Sequence, residues 1–251
     1  MAVMDEFKEE REALKHAGFK QRLSYYAYYY KWHVIVSIIA VVCLGSMIYE
    51  MVTAKDTAFY AVMLNTLENE ETSKSFKQAF MEYAGINPDK YELLFDTSLH
   101  ISPDKNSMDE ATVSSTQKLM VYMAAAELDA ILTDSTSIRQ YANSEYFFDL
   151  REILSEEQLA KYESYFYYVD MAEVRALQKA QENLDDTYVA EFPDPKKPEE
   201  MKEPVPVGLY IDREKLNGAY YFPDGDLVLG IFSNTQHLDN ALKYIDFLFE
   251  A

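Results

Sequence analysis

The sequence predicts an α/β fold, in which one three-layer domain with a mainly parallel sheet follows a single transmembrane helix. Two observations predict this fold. An uncharged apolar stretch occupies residues 34–49, and after residue 56 short apolar runs alternate three times with helical patterns. Alternation of this kind favours right-handed crossovers between parallel strands.

The apolar stretch WHVIVSIIAVVCLGSMIYEM predicts a membrane anchor over residues 32–52. With Trp32 and His33 its uncharged span is eighteen residues, a helix of roughly 27 Å, which matches a bilayer core. Five tyrosines between residues 25 and 30 precede it, and such rings are typical of the headgroup level. The alternatives are a buried core helix and, for Cys43, a lipid-anchored cysteine. The long leader and the missing A-x-A site favour an uncleaved anchor over a signal peptide.

The distribution of basic residues predicts the orientation of this anchor. Six of them precede the span, and in the residues shortly after it there is only Lys55. The six are Lys8, Arg11, Lys15, Lys20, Arg22 and Lys31. Because basic residues flanking a span stay in the cytoplasm, we expect a cytoplasmic, partly helical leader at residues 1–31. Residues 56–251 then form an extracellular domain of a single-pass protein at a bacterial cell surface.

The predicted outer domain is strongly acidic. The chain has 43 acidic and 23 basic residues, of which 6 and 7 precede Asp56, so that 37 and 16 remain. This excess argues against nucleic acid and anionic lipid as partners, since both require a basic face. The domain also lacks cysteine, so its stability has to come from packing and not from disulfides.

Apolar runs predict strands at residues 58–64, 91–97, 128–133, 207–211 and 227–232. Ser107 with Glu110 resembles a capping box and predicts a helix there. The inward side chains expected on that helix are Val113, Met120, Met123 and Ala124. Residues 193–206 hold five of the eight prolines and predict a stiff connector that is neither helix nor central strand. An apolar stripe from Leu238 to Phe249 predicts an amphipathic closing helix.

Catalytic and metal-binding patterns are weak in this sequence. The histidines have no metal-ligand spacing, and no nucleophile elbow or phosphate-binding glycine loop is found. Asp104, Asn106 and Glu110 faintly resemble a calcium loop, but Asp109 stands where the loop needs glycine. The aromatic run YESYFYYVD is either a sugar-stacking surface or part of the core. We therefore expect no catalytic residue, metal or cofactor.

One segment stands out as a candidate ligand-binding site. Asp134, Ser135, Thr136 and Ser137 lie between the end of the third predicted strand and the start of a helix. Ligands of open α/β sheets bind outside the carboxyl ends of strands. A plain helix N-cap explains the same residues, and both interpretations stay open here.

The order of segments resembles the type II extracellular solute-binding proteins of bacterial ABC importers. The passage LDAILTDSTSIRQYANSEYFFDL, with Phe148, Asp149 and Leu150, is similar to a segment of that family. VPVGLYIDREKL looks like the family's crossing to its second lobe, and Ala241 and Ile245 fall in what looks like its return helix. Only ten residues separate Leu216 from Leu227, where a full binding protein would have that second lobe.

This resemblance implies a membrane-anchored, one-lobed variant of the family. Two lobes normally close over a solute, whereas one lobe offers an open surface. We therefore expect a non-catalytic binding or accessory module that docks on a partner such as a transporter or an envelope complex. A small-solute receptor of an importer and a cell-wall-acting enzyme remain the alternatives.

Overall fold

The structure is a computed structural model that describes residues 18–102, 109–185 and 187–250. The chain divides into two compact units, Met1–Ala54 and Lys55–Ala251.

The first unit contains one long helix, α1 (Phe19–Thr53). Its part Lys31–Thr53 has 23 residues, none of them buried, and an 18-residue window within it has a mean hydropathy of 2.2. The helix is therefore long and apolar enough to span a membrane by length and composition. The leader helix expected near the chain start lies outside the described residues, and Gly18 is the N-cap of α1.

The second unit is built on a six-stranded sheet with the order β3-β1-β4-β8-β6-β5. Its strands, together with a separate two-stranded ribbon of β2 and β7, are β1 (Asp56–Met63), β2 (Leu67–Glu68), β3 (Tyr91–Asp96), β4 (Ala130–Asp134), β5 (Phe166–Asp170), β6 (Pro204–Ile211), β7 (Tyr220–Tyr221) and β8 (Leu227–Ile231). The α/β class is thus confirmed.

The prediction of a mainly parallel sheet is wrong, because the sheet is mixed. β1 pairs in parallel with β3 and β4, whereas the β4–β8, β8–β6 and β6–β5 pairs are antiparallel. An apolar run reveals a buried strand but carries no information about its direction. The direction of β8 follows from the connection after β6, which contains no crossover helix and returns the chain antiparallel.

Helices cover both faces of the sheet. They are α2 (Glu70–Ala84), α3 (Glu110–Ala124), α4 (Ser135–Ala142), α5 (Leu150–Ile153), α6 (Glu156–Tyr162), α7 (Met171–Glu182) and α8 (Leu238–Glu250). Alternate residues of β1 enter two hydrophobic clusters, Phe59 and Met63 the first and Val62 the second, as the strand period requires. α2 and α8 contribute to the first cluster, and α3, α4 and α7 to the second. The domain therefore has three layers.

Helix α3 differs from its prediction. Its N-cap is Asp109, whose carboxylate accepts a hydrogen bond from the Thr112 N–H at 2.9 Å, so Glu110 is the first helical residue. Ser107 lies outside the described residues. The buried residues of α3 are Ser115, Leu119 and Met123, whereas the expected inward residues Val113, Met120 and Ala124 are exposed.

The proline-rich stretch also differs from its prediction, because Pro204 and Pro206 belong to β6. Over residues 204–206 this strand pairs with the edge strand β5 and not with β8. Tyr167 pairs with Gly208 and Tyr168 with Pro206, so Val207 is the extra residue of a bulge in β6 beside Pro206. Proline is tolerated at bulges and at the first residue of a strand. The aromatic run is likewise split, since residues 166–170 form β5 and do not continue a helical face.

Candidate functional site

The order of the parallel strands places a crevice at the carboxyl ends of these strands. The chain goes from β1 outward to β3 and then returns to β4 on the other side of β1. The following helices, α2 after β1 and α4 after β4, belong to hydrophobic clusters on opposite faces. The carboxyl ends of β1 and β4 therefore flank a topological switch point, where ligands of open α/β sheets bind.

A cavity of about 600 Å³ lies at this crevice. Asn65 follows β1 and forms part of its wall, and its side chain binds the backbone of Ile101 through both functional groups, at 2.9 and 2.8 Å. This pair of hydrogen bonds holds the segment after β3 against the end of β1. Asp134, at the end of β4, forms the facing wall.

Three of the four residues predicted for the site line this cavity, namely Asp134, Thr136 and Ser137. One oxygen of the Asp134 carboxylate accepts hydrogen bonds from the N–H groups of Thr136 and Ser137, both at 2.9 Å. Asp134 is thus the N-cap of α4, and its carboxylate provides the acceptor for N–H groups in the first turn of this helix. Ser135 is not a lining residue, and its N–H donates to the Asp226 carbonyl at 2.9 Å.

The cavity continues into a larger groove of about 1160 Å³ between α3, α4 and α7. The two share Ile101, Ser102, Thr112, Thr136 and Ser137. We call the combined space the groove. Its further polar lining residues are Thr116 and Gln117 on α3, Arg139, Gln140, Asn143 and Ser144 on and after α4, Gln181 on α7, and Glu191. Hydroxyl and carboxamide groups dominate this surface, and such groups both donate and accept hydrogen bonds.

The remaining wall of the groove is residues 190–192, which α7 holds in place. The carboxylate of Glu173 accepts hydrogen bonds from the Tyr188 hydroxyl at 2.6 Å and from the Glu191 N–H at 3.1 Å. The Tyr188 hydroxyl is the main reason that the pKa of Glu173 lies below its usual value. A charged Glu173 therefore fixes this segment beside the groove.

Comparisons with protein-family models, with curated proteins and with solved structures found no match to this chain.

Sequence reasoning missed most of the groove. Thr112 and Thr116 on α3 and Leu177 and Gln181 on α7 are each four residues apart, which places each pair on one helix face. That spacing could have indicated a shared polar face, although it could not show that both faces border α4. Within the described residues no cluster of three potential metal ligands occurs.

Proposed function

We propose that the chain is a membrane-anchored, non-catalytic binding module that docks on a partner protein, such as a transporter or an envelope complex, through the groove. The observation that carries this proposal is the position of the groove at the switch point of the sheet. Its larger part, about 1160 Å³, exceeds the range of roughly 300–1000 Å³ that small-molecule sites occupy. This size favours a segment of a macromolecule as the occupant.

Helix α1 supplies the anchor in this proposal. The excess of basic residues before Lys31 supports a cytoplasmic N-terminus and an extracellular domain. The groove is at the carboxyl ends of β1 and β4, and the domain begins with Asp56 at the opposite end of β1. A partner in the same envelope could therefore reach the groove from the side of the sheet remote from the start of the domain.

Kinship with one lobe of the type II solute-binding proteins belongs to the same proposal. It is supported by the alternation of strands and helices and by the site at the strand ends. The strand directions do not support this kinship, because the sheet is mixed.

Site-specific photocrosslinking in native membranes tests the docking proposal. A photoactivatable residue replaces Gln117 inside the groove or, as a matched control, Lys74 on the exposed face of α2. We expect a discrete adduct from position 117 that disappears when Thr116→Trp fills the groove. The same adducts from both positions, or an adduct that survives Thr116→Trp, would argue against docking through the groove.

A small-solute receptor is the second candidate, and the cavity of about 600 Å³ favours it, because that volume fits one small molecule. Thermal unfolding of the full chain against sugars, amino acids, polyamines and divalent ions tests it. A ligand at about 100 times its dissociation constant adds roughly 2.7 kcal/mol. A saturable shift that Thr136→Trp removes would favour the receptor, and no shift across the panel would favour the protein partner.

A further inference from the structure

A small pocket opens beside the groove where three lining residues are shared. Its volume is about 10 Å³, room for about one water molecule or one oxygen atom of a ligand. Arg139, Asn143 and Phe192 line both this pocket and the groove. A group that reaches into the pocket can therefore belong to a ligand that lies in the groove.

The wall of this pocket contains a buried hydroxyl group without a partner. Tyr167, on β5, is 1% exposed, and its hydroxyl has no hydrogen-bond partner among the described residues. An unpaired buried hydroxyl costs roughly 1–3 kcal/mol, so native proteins usually satisfy it. Burial raises the pKa of Tyr167, and the Arg139 guanidinium opposes part of that rise through its charge and through a hydrogen-bond contribution at the hydroxyl oxygen. What the hydroxyl lacks is therefore an acceptor for its own proton.

Arg139 brings a positive charge to this pocket, and the Asp194 carboxylate also acts on the adjacent Tyr167. In residues 18–102, 109–185 and 187–250 Arg139 forms no ion pair, although acidic residues greatly outnumber basic ones in this domain. The carboxamide of Asn143, one helical turn further along, also has no side-chain hydrogen bond within that part of the chain. Three donors of different kinds thus meet at one corner of the groove.

An acidic residue of the same pocket does not supply the missing acceptor. Asp170 also lines the pocket, but its carboxylate accepts the N–H groups of Ala172, Lys202 and Glu203 at 3.1, 2.9 and 3.0 Å. These bonds orient Asp170 toward the backbone around α7 and β6. Asp170 therefore leaves the three donors available to an acceptor of a bound ligand.

We propose that Arg139, Asn143 and Tyr167 form a carboxylate-binding subsite of the groove, and that its occupant is a carboxylate of an extended peptide segment. A planar carboxylate accepts two parallel hydrogen bonds from a guanidinium, and the Tyr167 hydroxyl and the Asn143 amide can donate to its remaining lone pairs. Peptide is favoured because carboxamides and hydroxyls make up most of the polar lining of the groove, while Phe192 is its one Phe, Tyr or Trp lining residue among those described. This inference rests on the proposed docking through the groove.

Fluorine NMR of the full chain in phosphatidylcholine nanodiscs tests the subsite, with 3-fluorotyrosine placed at position 167. The first probes are acetate and acetamide at equal ionic strength. The second are the pentapeptides Ac-Ala-Ala-Glu-Ala-Ala-NH2 and its glutamine counterpart. We expect saturable shifts with acetate and the glutamate peptide, and affinities at least about tenfold weaker for the two amides, as loss of a charge-assisted hydrogen bond implies.

Two variants make the result specific. Arg139→Gln should abolish the preference for carboxylate over amide, whereas Lys179→Gln, which removes an exposed cation elsewhere on α7, should leave it unchanged. A response to acetate but not to the peptide would keep the subsite and assign it to a small carboxylate. No saturable shift, equal responses to acid and amide, or a preference that survives Arg139→Gln would overturn the subsite and indicate that the pocket holds water only.

The test of the carboxylate subsite can fail independently of the test of docking through the groove. Crosslinks from position 117 together with no carboxylate preference would overturn the subsite and leave docking in place. Carboxylate binding without any crosslink would instead retain the subsite and contradict docking on a protein.

Discussion

The Nδ1 atom of His237 lies 3.1 Å from both carboxylate oxygens of Asp129, a residue that is 1% exposed. The same carboxylate accepts the N–H of Tyr60 at 2.7 Å and the hydroxyl of Thr235. One buried charge thus connects β1, the start of β4 and the segment before α8. The imidazole donates from Nδ1 here, because a carboxylate can only accept.

Asp129→Ala should therefore destabilise the domain strongly. It leaves the Tyr60 N–H, the Thr235 hydroxyl and the His237 ring without their acceptor, and we expect a loss of about 3 kcal/mol in the free energy of unfolding. Urea unfolding followed by circular dichroism measures it. The exposed Asp89→Ala should change the stability by less than about 0.5 kcal/mol, and equal effects of the two variants would contradict a connecting role for Asp129.

For two buried tyrosines we expect opposite changes in the free energy of unfolding when the hydroxyl is removed. The Tyr244 hydroxyl has no partner among the described residues, whereas that of Tyr162 donates to Asp246 at 2.7 Å. Tyr244→Phe should leave stability unchanged or raise it by up to about 1 kcal/mol, and Tyr162→Phe should lower it by about 1.5 kcal/mol or more. Chemical unfolding of both variants checks this pair, and a clear loss for Tyr244→Phe would reveal a partner for its hydroxyl.

Because of Asp170, we expect the domain to lose stability against unfolding in acid. Burial by itself would raise its pKa, but backbone N–H groups, those of Lys202 and Glu203 foremost, outweigh it and hold the pKa below its usual value. A carboxyl with a lowered pKa in the folded state stabilises fully above its unfolded pKa of about 4 and loses that contribution as the pH falls through the folded value. Unfolding free energies measured from pH 7 down to pH 3 should therefore fall less steeply in Asp170→Asn than in the parent chain. Matching slopes would contradict this role.

The proposed orientation predicts which side of the membrane each unit faces. Cys43 is the one cysteine of the sequence, so a Cys43→Ser background allows single cysteines to be placed by choice. A membrane-impermeant maleimide should label Lys74→Cys in intact cells and Gly18→Cys only after lysis. The reverse pattern would place the domain in the cytoplasm.

Several elements could be predicted because their local sequence pattern is sufficient to determine their secondary structure. β1, β3, β4 and β8 are short apolar runs, and α8 has a continuous apolar stripe, with Ala241 and Ile245 buried. Asp134 could be predicted as a helix cap from its place between a strand and a helix, while its role in ligand binding stays a prediction.

Other features depend on contacts between distant segments and could not be predicted. The aromatic-rich residues 162–168 fit a helix and a strand equally well, so β5 could not be predicted from them. Strand direction was set by connections and not by composition. The pocket lined by Arg139 and Tyr167 forms only because α4 and β5 lie next to each other in the fold. Nothing in the sequence of either segment indicates that the two are neighbours.

Reactivity of a groove cysteine in native membranes tests the central claim most directly. In the Cys43→Ser background, Gln117→Cys lies in the groove and Lys74→Cys lies outside it. We expect maleimide to modify position 117 much more slowly in native membranes than in the purified chain, and position 74 to react at the same rate in both. Equal rates at position 117 in the two preparations would contradict an occupied groove and with it the proposed function.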